Sequence, residues 1–161
     1  MPTNIYLAYT APINPAGAEP VLTKPQVWAG LQRKIRHAQE FVSAISTCDV
    51  ITDDGEVEVV REVVFAADQT KRVKEVVKSY RPLKVDFHQP DGSLISNIVS
   101  DGPTSTEEDM FMTYTFQWLN QDAEPGSDEE KKLLEKFKGM AKMAVEGSID
   151  TIRRMVKEGK I

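Results

Sequence analysis

The chain is poor in the side chains that most often carry metal and redox chemistry. Among 161 residues there is one cysteine, Cys48, and there are two histidines, His37 and His88. A lone cysteine excludes an internal disulfide and a thiolate metal cluster. Two separated histidines argue against zinc, so no metal site is expected. Neither histidine is expected to point inward, so no serine-histidine-acid arrangement is evident. No glycine loop of the phosphate-cradling kind is present. No apolar run approaches the length of a bilayer crossing. Met1-Pro2-Thr3 leads straight into a strand-like run, without the charged and apolar regions of a secretory leader. A basic excess is missing too: 20 Lys and Arg stand against 25 Asp and Glu, a net charge of −5. The basic residues form no dense tract, so neither nucleic acid nor membrane insertion is expected. Together these absences suggest a reducing, cytoplasmic setting.

What is present suits a globular chain. Hydrophobic residues make up 40% and charged ones 28%, and the length predicts a single domain over residues 1–161 with a substantial core. Asn4–Thr10 reads as a short strand. Pro12, Pro15, Gly17 and Pro20 then enforce a loop. Thr23-Lys24-Pro25-Gln26 opens a helix with a capping box and a proline in its first turn. Val27, Leu31, Ile35, Ala38 and Val42 form its buried stripe, flanked by Trp28. From Ala44 onward the period changes to alternation. Six strands are predicted, over 44–51, 56–65, 71–79, 83–88, 94–101 and 109–119. Asp53-Asp54-Gly55 and Gln89-Pro90-Asp91-Gly92 carry hairpin chemistry, and Ala67-Asp68-Gln69-Thr70 is a further turn. Glu107, Glu108 and Asp109 lack the alternating spacing of a calcium loop.

The last stretch, Ser127 to Ile161, predicts one long helix. Ser127 with Glu130 reads as a capping box, and Asp128, Glu129 and Glu130 suit the positive end of the dipole. Leu134, Phe137, Ala141, Ala144, Ser148, Ile152 and Met155 recur at helical spacing as one apolar stripe, which needs a partner surface of similar length. Consecutive strands joined by short loops predict an antiparallel meander, and seven strands make a sheet twisted enough to curl. The fold class is therefore α+β, a helix-grip in which a seven-stranded curved antiparallel sheet wraps around the long C-terminal helix.

Alternation also assigns faces. On 56–65 the more apolar face is Val57, Val59, Arg61, Val63 and Phe65, which should point inward. On 71–79 the inward set is Val73, Glu75, Val77 and Ser79. A turn near Asp68 sets Arg61 opposite Glu75, Val63 opposite Val73 and Phe65 opposite Lys71. A lone buried charge is too costly to keep, so each of Arg61 and Glu75 answers the other. Val85, Phe87, Ile95, Asn97 and Val99 should also face in, with Asp86 and His88 outward. The last strand turns Met112, Tyr114, Phe116 and Trp118 to the interior.

The runs Tyr-Leu-Ala-Tyr-Thr-Ala-Pro-Ile-Asn-Pro (6–15), Val-Trp-Ala-Gly-Leu (27–31), Arg-Glu-Val-Val-Phe (61–65), Asn-Ile-Val-Ser-Asp-Gly-Pro (97–103) and Met-Thr-Tyr-Thr-Phe-Gln-Trp (112–118) together resemble the AtaL-like family. That family is a branch of the START/birch-allergen-like (SRPBCC) superfamily, and the resemblance covers nearly the whole chain. It implies a ligand cavity between sheet and helix for a small hydrophobic or aromatic molecule, with a role in secondary metabolism. No cofactor is expected. The cavity lining would be Val59, Val63, Val77, Val85, Phe87, Asn97, Val99, Met112, Phe116 and Trp118 from the sheet. Phe137, Ala141, Ala144 and Ser148 would complete it from the helix.

Arg61, Glu75 and Tyr114 are the candidate catalytic residues of a polyketide-cyclase-like enzyme. Glu75 would act as general base, Arg61 would hold developing negative charge, and Tyr114 would donate to a ligand carbonyl. The alternatives are a buried ion pair with only a structural role in a carrier, and a co-chaperone-like protein-binding module. Gly147 lies mid-helix beside Ala144 and Ser148. Glycine there costs about 1 kcal/mol relative to alanine, so a roofed cavity opposite Arg61, Glu75 and Tyr114 is expected. Nothing in the sequence sets an oligomeric state.

Overall fold

Stretches of alternating polarity form β1 (Thr3–Pro12), β2 (Ile45–Asp53), β3 (Glu58–Phe65), β4 (Asp68–Tyr80), β5 (Lys84–His88), β6 (Leu94–Asp101) and β7 (Met110–Gln121). The helical stripes form α1 (Lys24–Arg36) and α2 (Asp128–Lys157). The structure, a computed structural model, describes residues 2–161. Met1, the first residue of the expected domain, lies outside the described residues. The strands make one antiparallel sheet in the order β1-β7-β6-β5-β4-β3-β2, so β2 to β7 are a plain meander and β1 closes onto β7.

Helix α1 starts where its sequence says. The Thr23 hydroxyl accepts the Gln26 N–H, and the Gln26 side chain accepts the Thr23 N–H. The helix ends sooner than its stripe suggests. His37 leaves helical geometry (φ −134°, ψ 55°), and a short 3-10 turn, Ala38–Glu40, follows. Arg33 grips the Glu40 carboxylate through Nε at 2.6 Å and Nη2 at 2.8 Å, which holds the turn back against the helix. Val42 therefore lies beyond α1 and is half-buried.

Helix α2 also begins on its predicted cap, with the Ser127 hydroxyl accepting the Glu130 N–H at 3.2 Å. Glu130 does not complete the box; its carboxylate accepts from the Thr3 hydroxyl at 3.0 Å. One residue thus starts the helix and ties it to β1. Tyr9 donates to Glu146 at 3.2 Å, a second tie between the same elements. Helix α2 lies against β1 and β7 and touches α1. At the helix crossing, a Cβ added to Gly30 would sit 2.5 Å from Cγ1 of Ile152, so the helices meet at a distance only glycine permits. The proline-rich loop is fixed by Asn14, which bonds both the N–H and the carbonyl of Leu22, and by Arg153 of α2, which donates to the carbonyls of Ile13 and Pro20.

Some inward assignments change. Val57 is 48% exposed. The Asp54 carboxylate accepts the N–H groups of Glu56, Val57 and Glu58, which holds the start of the predicted strand in the turn. Phe65 pairs with Asp68, not Lys71, after a register shift beyond Val64. The Asp68 carboxylate accepts the Thr70 N–H and hydroxyl at 3.0 and 2.6 Å and bends the chain there. Asp86 keeps the outward parity expected for it but is buried, held by the Ser96 hydroxyl at 2.6 Å and by Lys84 at 3.1 Å. His37 is exposed and His88 half-buried.

Candidate functional site

The predicted pair forms across β3 and β4. Arg61 and Glu75 are direct register partners, each 4% exposed. Nε and Nη2 of Arg61 donate to one carboxylate oxygen of Glu75 at 2.9 and 2.8 Å. Nη1 donates to the backbone carbonyls of Lys34 and Ile35 at 3.1 and 2.8 Å. The guanidinium therefore clamps the last turn of α1 to the sheet, and its plane lies 4.9 Å over the Phe87 ring. The second Glu75 oxygen accepts only from Gln89, at 3.2 Å. It is the freer of the two.

Asn97 and Tyr114 are register partners across β6 and β7, both buried. The structure places Lys34 between them. Lys34 Nζ donates to Asn97 Oδ1 at 2.9 Å and to the Tyr114 hydroxyl at 3.1 Å. Burial pushes the Tyr114 phenol upward, opposed by a hydrogen bond with Ser148 of α2. The phenol thus stays protonated and can donate. Burial, reinforced by the Arg61 charge and opposed by Glu75, pulls Lys34 down to about 7.

Lys34 is the residue that sequence reasoning missed. It stands seven residues after Val27 and three after Leu31, on the buried face of α1. Its charge masked a position that helical periodicity assigns to the core. Asn97 also carries an unmet demand: among the described residues, its Nδ2 is buried with no hydrogen-bond partner. Such groups are rare in folded proteins and call for an explanation.

Around this centre the sheet residues Val59, Val63, Val77, Val85, Val99, Met112 and Phe116 are buried. Trp118 is half-buried. An aromatic ladder leads away from the centre. Ring centroids lie 6.3 Å apart for Tyr114–Phe116, 4.7 Å for Phe116–Trp118 and 4.1 Å for Trp118–Phe137. The ladder carries the apolar wall from the polar centre to the N-terminal half of α2.

Ala141 and Ser148 are buried, but Ala144 is only half-buried. Val145 and Ile149, outside the predicted stripe, are buried as well and fill the inner face of α2. A Cβ added to Gly147 would meet nothing within 4 Å, so no close approach requires that glycine. Two outer grooves lie along the C-terminal part of α2. One of about 440 Å³ is lined by Glu19, Pro20, Val156 and Lys157, and one of about 280 Å³ adjoins Asp150, Arg153 and Arg154. Among the described residues no cluster of His, Cys, Asp or Glu could hold a metal ion, and no helix is long and apolar enough to cross a membrane.

A sheet curved around a long helix, with one buried polar centre, is an arrangement that can be compared with known proteins. The family model described as AtaL, Acetylaranotin biosynthesis cluster protein L, matches residues 7–159. The chain belongs to the AtaL family. Acetylaranotin biosynthesis cluster protein L of Aspergillus terreus is 27% identical over 154 residues, covering 95% of this chain and 90% of the relative. Solved structures share the AtaL chain's fold at low identity. The di-domain ARO/CYC BexL from the BE-7585A biosynthetic pathway has a TM-score of 0.67 at 10% identity over 92% of this chain. The chain spans 50% of that protein's length. Ara h 8.0201 has a TM-score of 0.60 at 9% identity, covering 97% of this chain and 99% of its own. The AtaL chain therefore has the helix-grip fold of the START/birch-allergen type.

Proposed function

We propose that this AtaL-family protein binds a small hydrophobic or aromatic metabolite inside the helix grip and acts on it as a cyclase-type enzyme of secondary metabolism. The buried, unpartnered amide nitrogen of Asn97 carries the reading. It sits beside Lys34 and Tyr114, which Arg61, Glu75 and Ser148 influence in turn, a concentration of polar groups that an apolar core does not require for stability. A ligand oxygen would satisfy the amide. The ladder Phe116–Trp118–Phe137 would supply a stacking wall. Glu75 would accept a proton through its freer oxygen, and Tyr114 would donate to a ligand carbonyl. Arg61 would act by holding Glu75 and the end of α1 rather than by touching ligand, because most of its donors are engaged. A relative from a biosynthesis cluster and a likeness to an ARO/CYC protein support the enzymatic form of the reading.

Titration with naphthol, an aromatic probe without a carbonyl, tests the binding. Saturable quenching of tryptophan fluorescence that is lost in Trp118→Leu is expected; quenching that survives this substitution unchanged overturns the assignment. Turnover of linear polyketide thioesters tests the chemistry. Glu75→Gln should abolish cyclised product while leaving naphthol binding intact, and unchanged turnover would remove Glu75 from the mechanism.

A further inference from the structure

We propose that Lys34 is the reactive amine of the grip and that it captures a carbonyl-bearing ligand, an aldehyde or a ketone, as an imine. The inference rests on the reading of the grip as a ligand site and names the class of molecule it takes.

The geometry begins with what Lys34 lacks. Glu75, the nearest acidic group that influences it, is committed to Arg61 at 2.8 Å, and among the described residues no carboxylate forms an ion pair with Lys34. Instead Nζ meets two neutral groups, Asn97 Oδ1 and the Tyr114 hydroxyl. It lies 4.3 Å from the Tyr114 ring centroid and 5.6 Å from that of Phe87. Every element packed around it adds to the same environment. Sheet strands supply Arg61 from β3, Glu75 from β4, Asn97 from β6 and Tyr114 from β7, and α2 supplies Ser148. Arg61 is the one cation among these groups and, with burial, favours the neutral amine. A lysine held uncharged near neutrality has the lone pair that nucleophilic attack requires. Surface lysines do not.

Asn97 completes the site. Its Oδ1 holds the amine, and its Nδ2, on the same amide, has no acceptor. A ligand carbonyl oxygen accepting from Nδ2 would lie beside Nζ, with the donor aimed at the oxygen where negative charge develops on attack. Arg61 acts as a positioning residue, since it holds the backbone carbonyl of Lys34 itself.

The step balances without an oxidant or a reductant. The Nζ lone pair forms a bond to the carbonyl carbon, and the C=O π pair moves to oxygen. A proton passes from nitrogen to that oxygen and gives a carbinolamine. The C–O bond then breaks, and the oxygen leaves as water with the second amine proton, relayed through the Tyr114 phenol. A C=N bond has replaced C=O, and one water is released.

Trapping with benzaldehyde and sodium cyanoborohydride tests this on the full chain, with peptide mass spectrometry to locate the label. Lys34 should be benzylated faster than any other lysine at pH 7 and above, with the rate falling as the pH drops through about 7. Lys34→Arg should lose that label and keep the slow background on surface lysines. Lys34→Met, its fold checked by circular dichroism, serves if the arginine is not accommodated. If naphthol binds but Lys34 is labelled no faster than surface lysines, the imine proposal fails and the ligand site stands. If naphthol does not bind and Lys34 is not labelled, both fail.

Discussion

Among the described residues Glu75 is the carboxylate that answers the Arg61 guanidinium, and both side chains are almost wholly buried. Removing one partner of a buried pair strands the other charge, which typically costs about 3–5 kcal/mol. Glu75→Ala should therefore lose stability of that order in urea denaturation, and a loss of less than about 1 kcal/mol, the value of an exposed pair, would contradict the buried geometry. Lys34 makes the opposite statement. Its folded value of about 7 lies below the ordinary 10.5. Between those limits the unfolded chain holds a proton that the folded chain has shed. Stability therefore rises with pH across this window, by at most about 1.4 kcal/mol per pH unit. Below 7 both states are charged, and the full cost of burying the ammonium is present. Lys34→Met should accordingly exceed the parent in stability by most below pH 7, with the gap narrowing as the pH rises toward 10.5. Denaturation midpoints of the two proteins, compared at each pH, read that gap directly. A gap independent of pH would show that Lys34 is charged in both states throughout.

At the scale of elements, the contact between α1 and α2 depends on Gly30. Its missing side chain leaves room for Ile152, which is fully buried. Gly30→Ala forces Ile152 or a helix to shift, and overpacking of this kind costs about 1–3 kcal/mol despite the better helix propensity of alanine. Ile152→Ala should cost about 2–5 kcal/mol alone. The double variant should cost less than the sum by about 0.5–3 kcal/mol, since each change relieves the other. Additive losses in thermal or urea unfolding would mean that the two positions do not meet. Gly147 offers the contrast. It is also helical, yet nothing crowds it, so its presence reflects no close approach.

For the whole molecule, protection should follow the layering. Strand β7 is flanked by β1 and β6 and lies beneath α2, whereas β2 is a sheet edge with Val50 and Ile51 exposed. Opening β7 requires loss of the core, and opening the outer side of β2 does not. Amide hydrogen exchange should be slowest in β7 and fastest among strands at the outer edge of β2, because local opening follows the burial it exposes. Equal protection in the two strands would mean that the sheet opens only as a unit. A ligand in the proposed site would meet Lys34 of α1 and Phe137 of α2, so naphthol should add protection in α1 and α2 more than in β2.

Much of this architecture was legible in the chain. Period-2 alternation, Asx-Gly turns and two capping signals act over a few residues, so the meander from β2 to β7, the Thr23 and Ser127 caps and the Arg61–Glu75 register were readable, whereas the pairing of β1 with β7 was not. Family motifs spread over the chain agreed with them. What escaped was decided by contacts between elements distant in sequence. Carboxylates of Asp54 and Asp68 bent strand ends and moved Val57 outward and Phe65 out of register. Glu130 left its capping box and accepts from Thr3 of β1 instead. Lys34 sat on a readable stripe, but only the packed fold shows that Arg61 takes Glu75 and leaves the lysine with neutral partners. Local sequence sets which residues share a face. Charge state and the unmet demand at Asn97 depend on what meets that face, and only tertiary packing settles it.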